Sequence, residues 1–279
     1  MIENSELVEI IHRAPLFIAL DDDSANALRK SMDEVKLTRG QTLFSEGDQA
    51  ERLYVIGEGK IKLGTVSADG RENLLSVLGP GDMFGELSLF DLRPRTSTAT
   101  AVTDARLFSL GNDDLHELLR SRPEVSFYLL QSLAQRFRRV SEIVEDLVFS
   151  DVPGRVAKAL IQLSGRFGKP SEEGLHVNHD LTQEELAQLV GASRETVNKA
   201  LADFAGRGWL RLEARAVIIL DEERLSKRAR ENFLTATNEA LRLLQLLQVH
   251  STEVQQLLQK IVLRVLLHQI HVKIVHLHH

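Results

Sequence analysis

The chain has 279 residues, 43% of them hydrophobic and 27% charged, with a formal net charge of −6 and no cysteine. That length suffices for two globular domains, and the lack of cysteine excludes disulfides, thiolate zinc sites and cysteine-ligated iron–sulfur clusters. The charge is unevenly held. Residues 1–150 carry 17 Lys and Arg against 25 Asp and Glu, and residues 151–230 carry 13 against 12, so affinity for a polyanion must come from local placement rather than bulk charge.

The first residues, Met1 to Glu6, are acidic and no apolar h-region follows them, so the sequence predicts no secretory signal. No long uncharged apolar run reads as a membrane span. The expected compartment is the cytoplasm, with no membrane partner. Residues 5–35 carry short amphipathic helical patterns. Between residues 40 and 85 the texture changes: nine of the 17 glycines lie here, among β-patterned runs at 42–44, 52–56, 60–63 and 73–78. Short strands separated by Gly-rich turns predict a sandwich or rolled barrel, and strand patterns resume at 96–102 and 105–110.

Residues 79–101 hold a glycine turn, a helix start and a basic residue within reach. Backbone N–H groups at a helix start favour an anion. Arg95 can add a bidentate cation for a phosphate, and Glu86 can accept from sugar hydroxyls. A Glu86–Arg95 salt bridge stabilising a loop fits the spacing equally well.

A helix is predicted over 123–149, where Leu129, Leu133, Val140, Val144 and Leu147 recur at spacings of three, four and seven. Such a stripe is either core or a seam with a second copy of itself. Residues 151–154 form a hinge candidate, 155–167 are again helical, and 168–174 read as a loop rich in Gly, Pro, Ser and Glu.

Residues 181–201 carry the most information. Thr182 followed by Glu185 fits a capping box, and Leu186, Leu189 and Val190 then share one helical face. Gly191 suits a helix C-terminus and Ser193 the N-cap of a second helix. Val197, Ala200, Leu201 and Phe204 give that helix a buried stripe, with Ala187 small enough for close approach. Arg194, Glu195, Asn198 and Lys199 are left on the outer face. In a helix-turn-helix the N-terminal residues of the second helix meet base edges, where arginine reads guanine and glutamate accepts from cytosine. Gly206 and Gly208 end the helix, and two strand patterns around Ala214 and Arg215 read as a β-hairpin, which completes a winged helix.

Gly85, Glu86, Leu87 and Ser88, with Pro94, Arg95 and Thr96, resemble the phosphate-binding cassette of cyclic-nucleotide-binding domains. With the 151–157 segment and the helix-turn-helix, residues 5–230 resemble the CRP/FNR family of bacterial regulators. Within it they are most similar to the actinobacterial cAMP receptor proteins of the GlxR type.

The resemblance implies an α+β architecture. A cyclic-nucleotide-binding β-roll would occupy 1–120, a dimerisation helix and hinge 121–150, and a winged helix-turn-helix 151–230. It implies cAMP as allosteric effector, held by Gly85, Glu86 (ribose 2′-hydroxyl), Leu87, Ser88, Arg95 (cyclic phosphate) and Thr96. The family often has Thr-Ser where the adenine amino group sits. Here Val140 precedes Ser141, so Ser141 is kept and one hydrogen bond of about 0.5–1.5 kcal/mol is lost. The alternative is the same fold with another effector, or with ligand-independent DNA binding.

Operator DNA would be met by Thr182, Gln183, Ser193, Arg194, Glu195, Asn198 and Lys199, the last often arginine in the family. The implied partners are a palindromic TGTGA/TCACA-like duplex, a second copy of the chain and RNA polymerase. No Ser/His/Asp constellation, metal cluster or Walker lysine points to an enzyme. His12 and His116, the only histidines before residue 150, read as ordinary residues. Residues 231–279, with His268 and His271 one turn apart, fall outside the resemblance and read as a partner-binding amphipathic helix or, preferably, a non-native extension.

Overall fold

A computed structural model of the chain describes residues 4–67, 70, 72–91 and 93–230. The expectations made for residues 231–279 lie outside them. Two helices, α1 (Asn4–Ile11) and α2 (Asp22–Ser31), precede the strands. Helix α2 starts where the Asp21 side chain accepts from the Ser24 N–H at 2.8 Å, which satisfies one orphan donor of the first turn.

The strands that follow are β1 (Asp33–Leu37), β2 (Thr42–Phe44), β3 (Arg52–Glu58), β4 (Ile61–Val66), β5 (Glu72–Leu78) and β6 (Met83–Phe84). After the short helix α3 (Leu87–Asp91) come β7 (Thr98–Ala101) and β8 (Ala105–Gly111). They form two antiparallel four-stranded sheets, ordered β1-β8-β3-β6 and β2-β7-β4-β5. Leu37, Ile56, Ile61, Phe84, Ala99 and Leu107 are buried together between them. On the outer side of the first sheet, Leu7, Ile11, Phe17 and Leu28 pack with Leu53, Phe108 and Leu115 in a second cluster.

Helix α4 (Asn112–Ser121) leads into α5 (Glu124–Phe149), the longest element. The predicted stripe of α5 divides. Val125 and Leu129 enter the cluster with α1 and α2. Val140, Val144 and Leu147 are exposed, together with Phe127, Leu130, Phe137 and Ile143. An apolar face of that size on a helix otherwise rich in charge marks an interaction surface.

Only Ser150 and Asp151 separate α5 from α6 (Val152–Phe167). Asp151 caps α6 by accepting from the Gly154 N–H at 2.9 Å, and Pro153 sits in the first turn, where it removes no helical hydrogen bond. The remainder is β9 (Gly168–Ser171), β10 (Gly174–Val177), α7 (Gln183–Val190), α8 (Arg194–Gly206), β11 (Leu210–Glu213) and β12 (Ala216–Ile219), with sheet order β11-β12-β10-β9. Residues 168–171, expected as loop, form an edge strand paired to β10. Pro170 is accommodated there because only one side of an edge strand is paired.

The two halves are docked. Leu74 and Val77 of β5 and Val102 are buried in the same cluster as Val156, Leu160, Leu186 and Val190. Around that patch Lys62 pairs with Glu185 at 2.6 Å. The Lys60 ammonium donates to the Asn178 carbonyl at 2.7 Å and pairs with Asp180, and Arg166 pairs with Asp82. Among the described residues no helix is long and apolar enough to cross a membrane.

Candidate functional site

The segment from β6 to β7 turns at Gly85, whose φ of +83° is open to glycine at no steric cost. A Cβ there would lie 2.8 Å from Arg95 Nη1, so the glycine also admits the arginine. Glu86 follows with no exposed surface, and Arg95 is 5% exposed. They do not form the salt bridge that the spacing allowed. Arg95 donates instead to the Gly85 carbonyl at 2.7 Å and the Arg52 carbonyl at 2.6 Å. Its guanidinium lies 4.2 Å from the centre of the Phe44 ring.

The partner of Glu86 is Arg136 of α5, with Nη1 at 2.5 Å from Oε1; Arg136 also donates to the Met83 carbonyl. Two buried atoms stay unmatched here, Glu86 Oε2 and Arg95 Nε. Burial pushes the Glu86 carboxyl above the usual carboxylate range, against the opposing pull of Arg136 and Arg95. Burial likewise lowers the Arg95 guanidinium from its ordinary value. A buried charge without full pairing is costly, and such concentrations of cost are characteristic of functional sites.

Gly85, Leu87, Ser88, Arg95, Thr96 and Arg136 line one cavity of about 50 Å³. Ser88 donates to the Pro94 carbonyl at 3.3 Å, Leu87 is exposed, and Thr96 is exposed at the rim. The cavity is therefore lined by five of the residues singled out in sequence, plus Arg136, which sequence reasoning missed; Glu86 is not on its wall, its carboxylate being held by Arg136. Ser141 is not among them: it lies exposed on α5, its hydroxyl bonded to the Phe137 carbonyl at 3.0 Å.

The second site is built on α7 and α8. The capping box is complete: Thr182 Oγ1 accepts from the Glu185 N–H at 3.1 Å, and Glu185 Oε2 accepts from the Thr182 N–H at 2.8 Å. Glu185 is also the partner of Lys62. Burial pushes its carboxyl up, but the bonds from Lys62 and the Thr182 amide outweigh that and hold it below its ordinary value. Gly191 adopts φ +70° and packs against Leu147 of α5, 3.1 Å from where a Cβ would stand. Ser193 caps α8 by accepting from the Thr196 N–H at 3.2 Å.

Arg194, Glu195 and Lys199 project into solvent. Lys199 and Glu195 pair at 2.7 Å, with about three quarters of each side chain exposed. Such a pair is worth little, so both groups stay available to a ligand. Asn198, expected on the outer face, is half-buried. Its amide and Arg194 both donate to Gln183 Oε1, each at 3.2 Å, because the two helices cross closely at that point.

Residues 34–122 match the family model for a cyclic nucleotide-binding domain, and residues 154–228 that for a Crp-like helix-turn-helix domain. The chain is similar to a CRP-like cAMP-activated global transcriptional regulator of Mycobacterium tuberculosis: 55% identical over 222 residues, covering 80% of this chain and 99% of that protein. It is 34% identical to the cyclic AMP receptor protein of Thermus thermophilus over 214 residues, covering 75% and 96%. A solved CRP-family transcriptional regulator from Thermus thermophilus superposes with a TM-score of 0.60 at 28% identity, covering 70% of this chain and 96% of that one.

Proposed function

The chain belongs to the CRP/FNR family of transcription regulators, and on that premise we propose that it is a cAMP-responsive, homodimeric DNA-binding regulator, active in the cytoplasm and not an enzyme. The observation that carries the ligand reading is the buried pair of opposite charges, Glu86 and Arg95, each with an unmatched polar atom, beside a cavity lined by Arg95 and by the neighbours of Glu86 in the chain, Gly85 and Leu87. A cyclic nucleotide supplies both complements: ribose hydroxyl for the carboxylate, cyclic phosphate for the guanidinium. Gly85, Leu87, Ser88 and Thr96 complete the cradle.

Ligand sites are usually about 300–1,000 Å³, so side chains must yield for the nucleotide to enter. Arg136 is the one that stands in its way, since it lines the cavity and holds Glu86 through Oε1. Displacing it moves a residue of α5. That helix is tied onward by the Asp146–Lys158 pair at 2.6 Å to α6 and by Leu147 to the turn between α7 and α8. Ligand binding thereby biases the placement of Arg194 and Glu195. The bias is limited to the difference in ligand affinity between the two placements.

The exposed apolar face of α5 is the seam for a second copy, with Ser141 within it to meet the adenine of the partner's ligand. Two-fold symmetry then calls for a palindromic operator with half-sites about 34 Å apart, and the family resemblance implies TGTGA/TCACA-like half-sites. Arg194, Glu195 and Lys199 would meet base edges, and Thr182, Gln183, Ser193 and Asn198 would position phosphates or the helices themselves. The Glu195 carboxylate and the exposed end of α8 favour this over a general phosphate contact. RNA polymerase is the expected downstream partner.

The deciding experiment is a fluorescence-anisotropy titration of such an operator with and without cAMP. Tight binding only with cAMP supports the proposal. Equal binding in both arms leaves the DNA reading and removes cAMP as the effector. No preference over random DNA at matched salt removes the operator reading.

A further inference from the structure

A second, larger groove of about 460 Å³ opens between the chain after α1, the β5–β6 loop and α5. Its α5 wall is formed by Tyr128, Gln131, Gln135, Arg136 and Arg139, and Arg13 faces them from the other side. At 100° per residue these α5 positions share one face of the helix. Phe127, Leu130, Phe137 and Val144 lie on the opposite face, while Ile143 lies one turn beyond Arg139 on the groove's side, so self-association through the first four leaves the groove open.

Three arginines line the groove in the more acidic half of the molecule, where 25 acidic residues face 17 basic ones, and two of them, Arg13 and Arg139, leave their guanidiniums free. Arg13 and Arg139 are both exposed, and their side chains have no hydrogen-bond or ion-pair partner among the described residues. The single carboxylate lining the groove, Asp82, is already engaged by Arg166 and by the Gly79 N–H at 2.7 Å. What remains is a concave, net-positive surface. The amides of Gln131 and Gln135 and the ring of Tyr128 stand beside it.

We propose that this groove is a binding site for a small polyanion, a molecule carrying two or more phosphates, distinct from the Glu86 cavity. Planar guanidiniums suit bidentate phosphate recognition, and the volume lies within the range of small-ligand sites. Arg136 belongs to both places: its Nη1 holds Glu86 while its stem lines the groove. A phosphate that draws Arg136 toward the groove frees Glu86, so polyanion and cyclic nucleotide should bind with positive, reciprocal coupling. That coupling rests on the Glu86 reading proposed above; the site itself does not.

Calorimetric titration of the full chain with ATP and with inorganic triphosphate, at low ionic strength and in the presence and absence of cAMP, tests both parts. The expected result is saturable binding of both probes that is weakened at least about tenfold in the double variant Arg13→Gln/Arg139→Gln. The cAMP titration of that variant alone stays as in the parent, which keeps failure of this site separate from failure of the Glu86 cavity. Absence of saturable binding, or binding that the double variant leaves unchanged, overturns the proposal. Binding of ATP that cAMP competes away places the nucleotide in the Glu86 cavity and overturns it as well. Triphosphate binding equal to that of ATP supports recognition through phosphate alone.

Discussion

His179 offers the sharpest quantitative test of how the two halves are joined. It is 4% exposed and sits between β10 and α7, where its Nδ1 accepts from the Leu181 N–H at 3.1 Å. Burial drives its pKa from 6.5 down to about 4; Lys60 also lowers it, while Asp180 and Glu185 pull the other way. The fold therefore demands the neutral ring. With a folded value below the unfolded one, the stability it secures is complete above pH 6.5 and is lost progressively as pH falls toward 4. The drop from 6.5 to about 4 corresponds to about 3 kcal/mol in all, with about 1.4 kcal/mol already lost at pH 5.5.

Trp209 is the only tryptophan in the chain and stacks on Phe204 with ring centres 5.4 Å apart. Its fluorescence thus follows denaturant unfolding of the C-terminal half. The comparison protein is His179→Gln, which keeps an acceptor for the Leu181 amide but does not titrate. Other groups titrate alike in both proteins, so the difference between their stability curves isolates the imidazole. The parent should lose about 2–3 kcal/mol more than the variant between pH 7.5 and 4.5. Parallel curves over that range would refute the reasoning.

Gly85→Ala places a Cβ 2.8 Å from Arg95 Nη1 at a φ of +83°. It should cost about 1–3 kcal/mol by thermal denaturation and weaken cAMP binding by calorimetry; an unchanged ligand titration would show that Arg95 is not positioned by this turn. Thr182→Ala breaks the capping box and should cost about 1 kcal/mol of thermal stability. Arg194→Ala should leave the melting temperature in place and instead cost about 1–3 kcal/mol in operator binding. Lys60→Met with Lys62→Met leaves Asp180 and Glu185 unpaired at the junction, at about 1.5–3 kcal/mol for each lost charged bond. Hydrogen exchange in β5 and α7 should accelerate, and unchanged protection would mean that the apolar patch of Leu74, Val77 and Val102, with the Arg166–Asp82 pair, holds the halves together without these lysines.

What the sequence disclosed follows from the range of the interactions involved. The helix-turn-helix was legible because its determinants are local: Thr182 and Glu185 close a box three residues apart, and Gly191 and Ser193 mark a stop and a start by their own side chains. Glu86 and Arg95 were legible for a similar reason, being nine positions apart on one turn, although their spacing suggested a mutual salt bridge where the structure gives each other partners. Arg136 was not legible. It is one of three arginines within four residues of α5, with Arg138 and Arg139, and nothing in that run marks which one meets Glu86, fifty positions earlier. Only the packing of Val125 and Leu129 against the N-terminal helices sets the helix rotation that selects it.

The same limit hid β9, whose Gly168, Pro170 and Ser171 have loop composition and become a strand only because β10 is there to pair with. It also hid the docking of β5 on α7: period-two alternation separates Leu74 from Val77, and only the bulge at Leu75, where Leu63 pairs with Ser76 and Gly64 with Leu74, brings them into one cluster. The long-range contacts that escaped notice are thus the ones that join the Glu86 cavity to α5 and β5 to α7. A domain can be recognised from its local signals, whereas the linkage between domains is written in side chains whose partners lie far along the chain. This is why both ends of the proposed switch were visible in the sequence and Arg136, which connects them, was not.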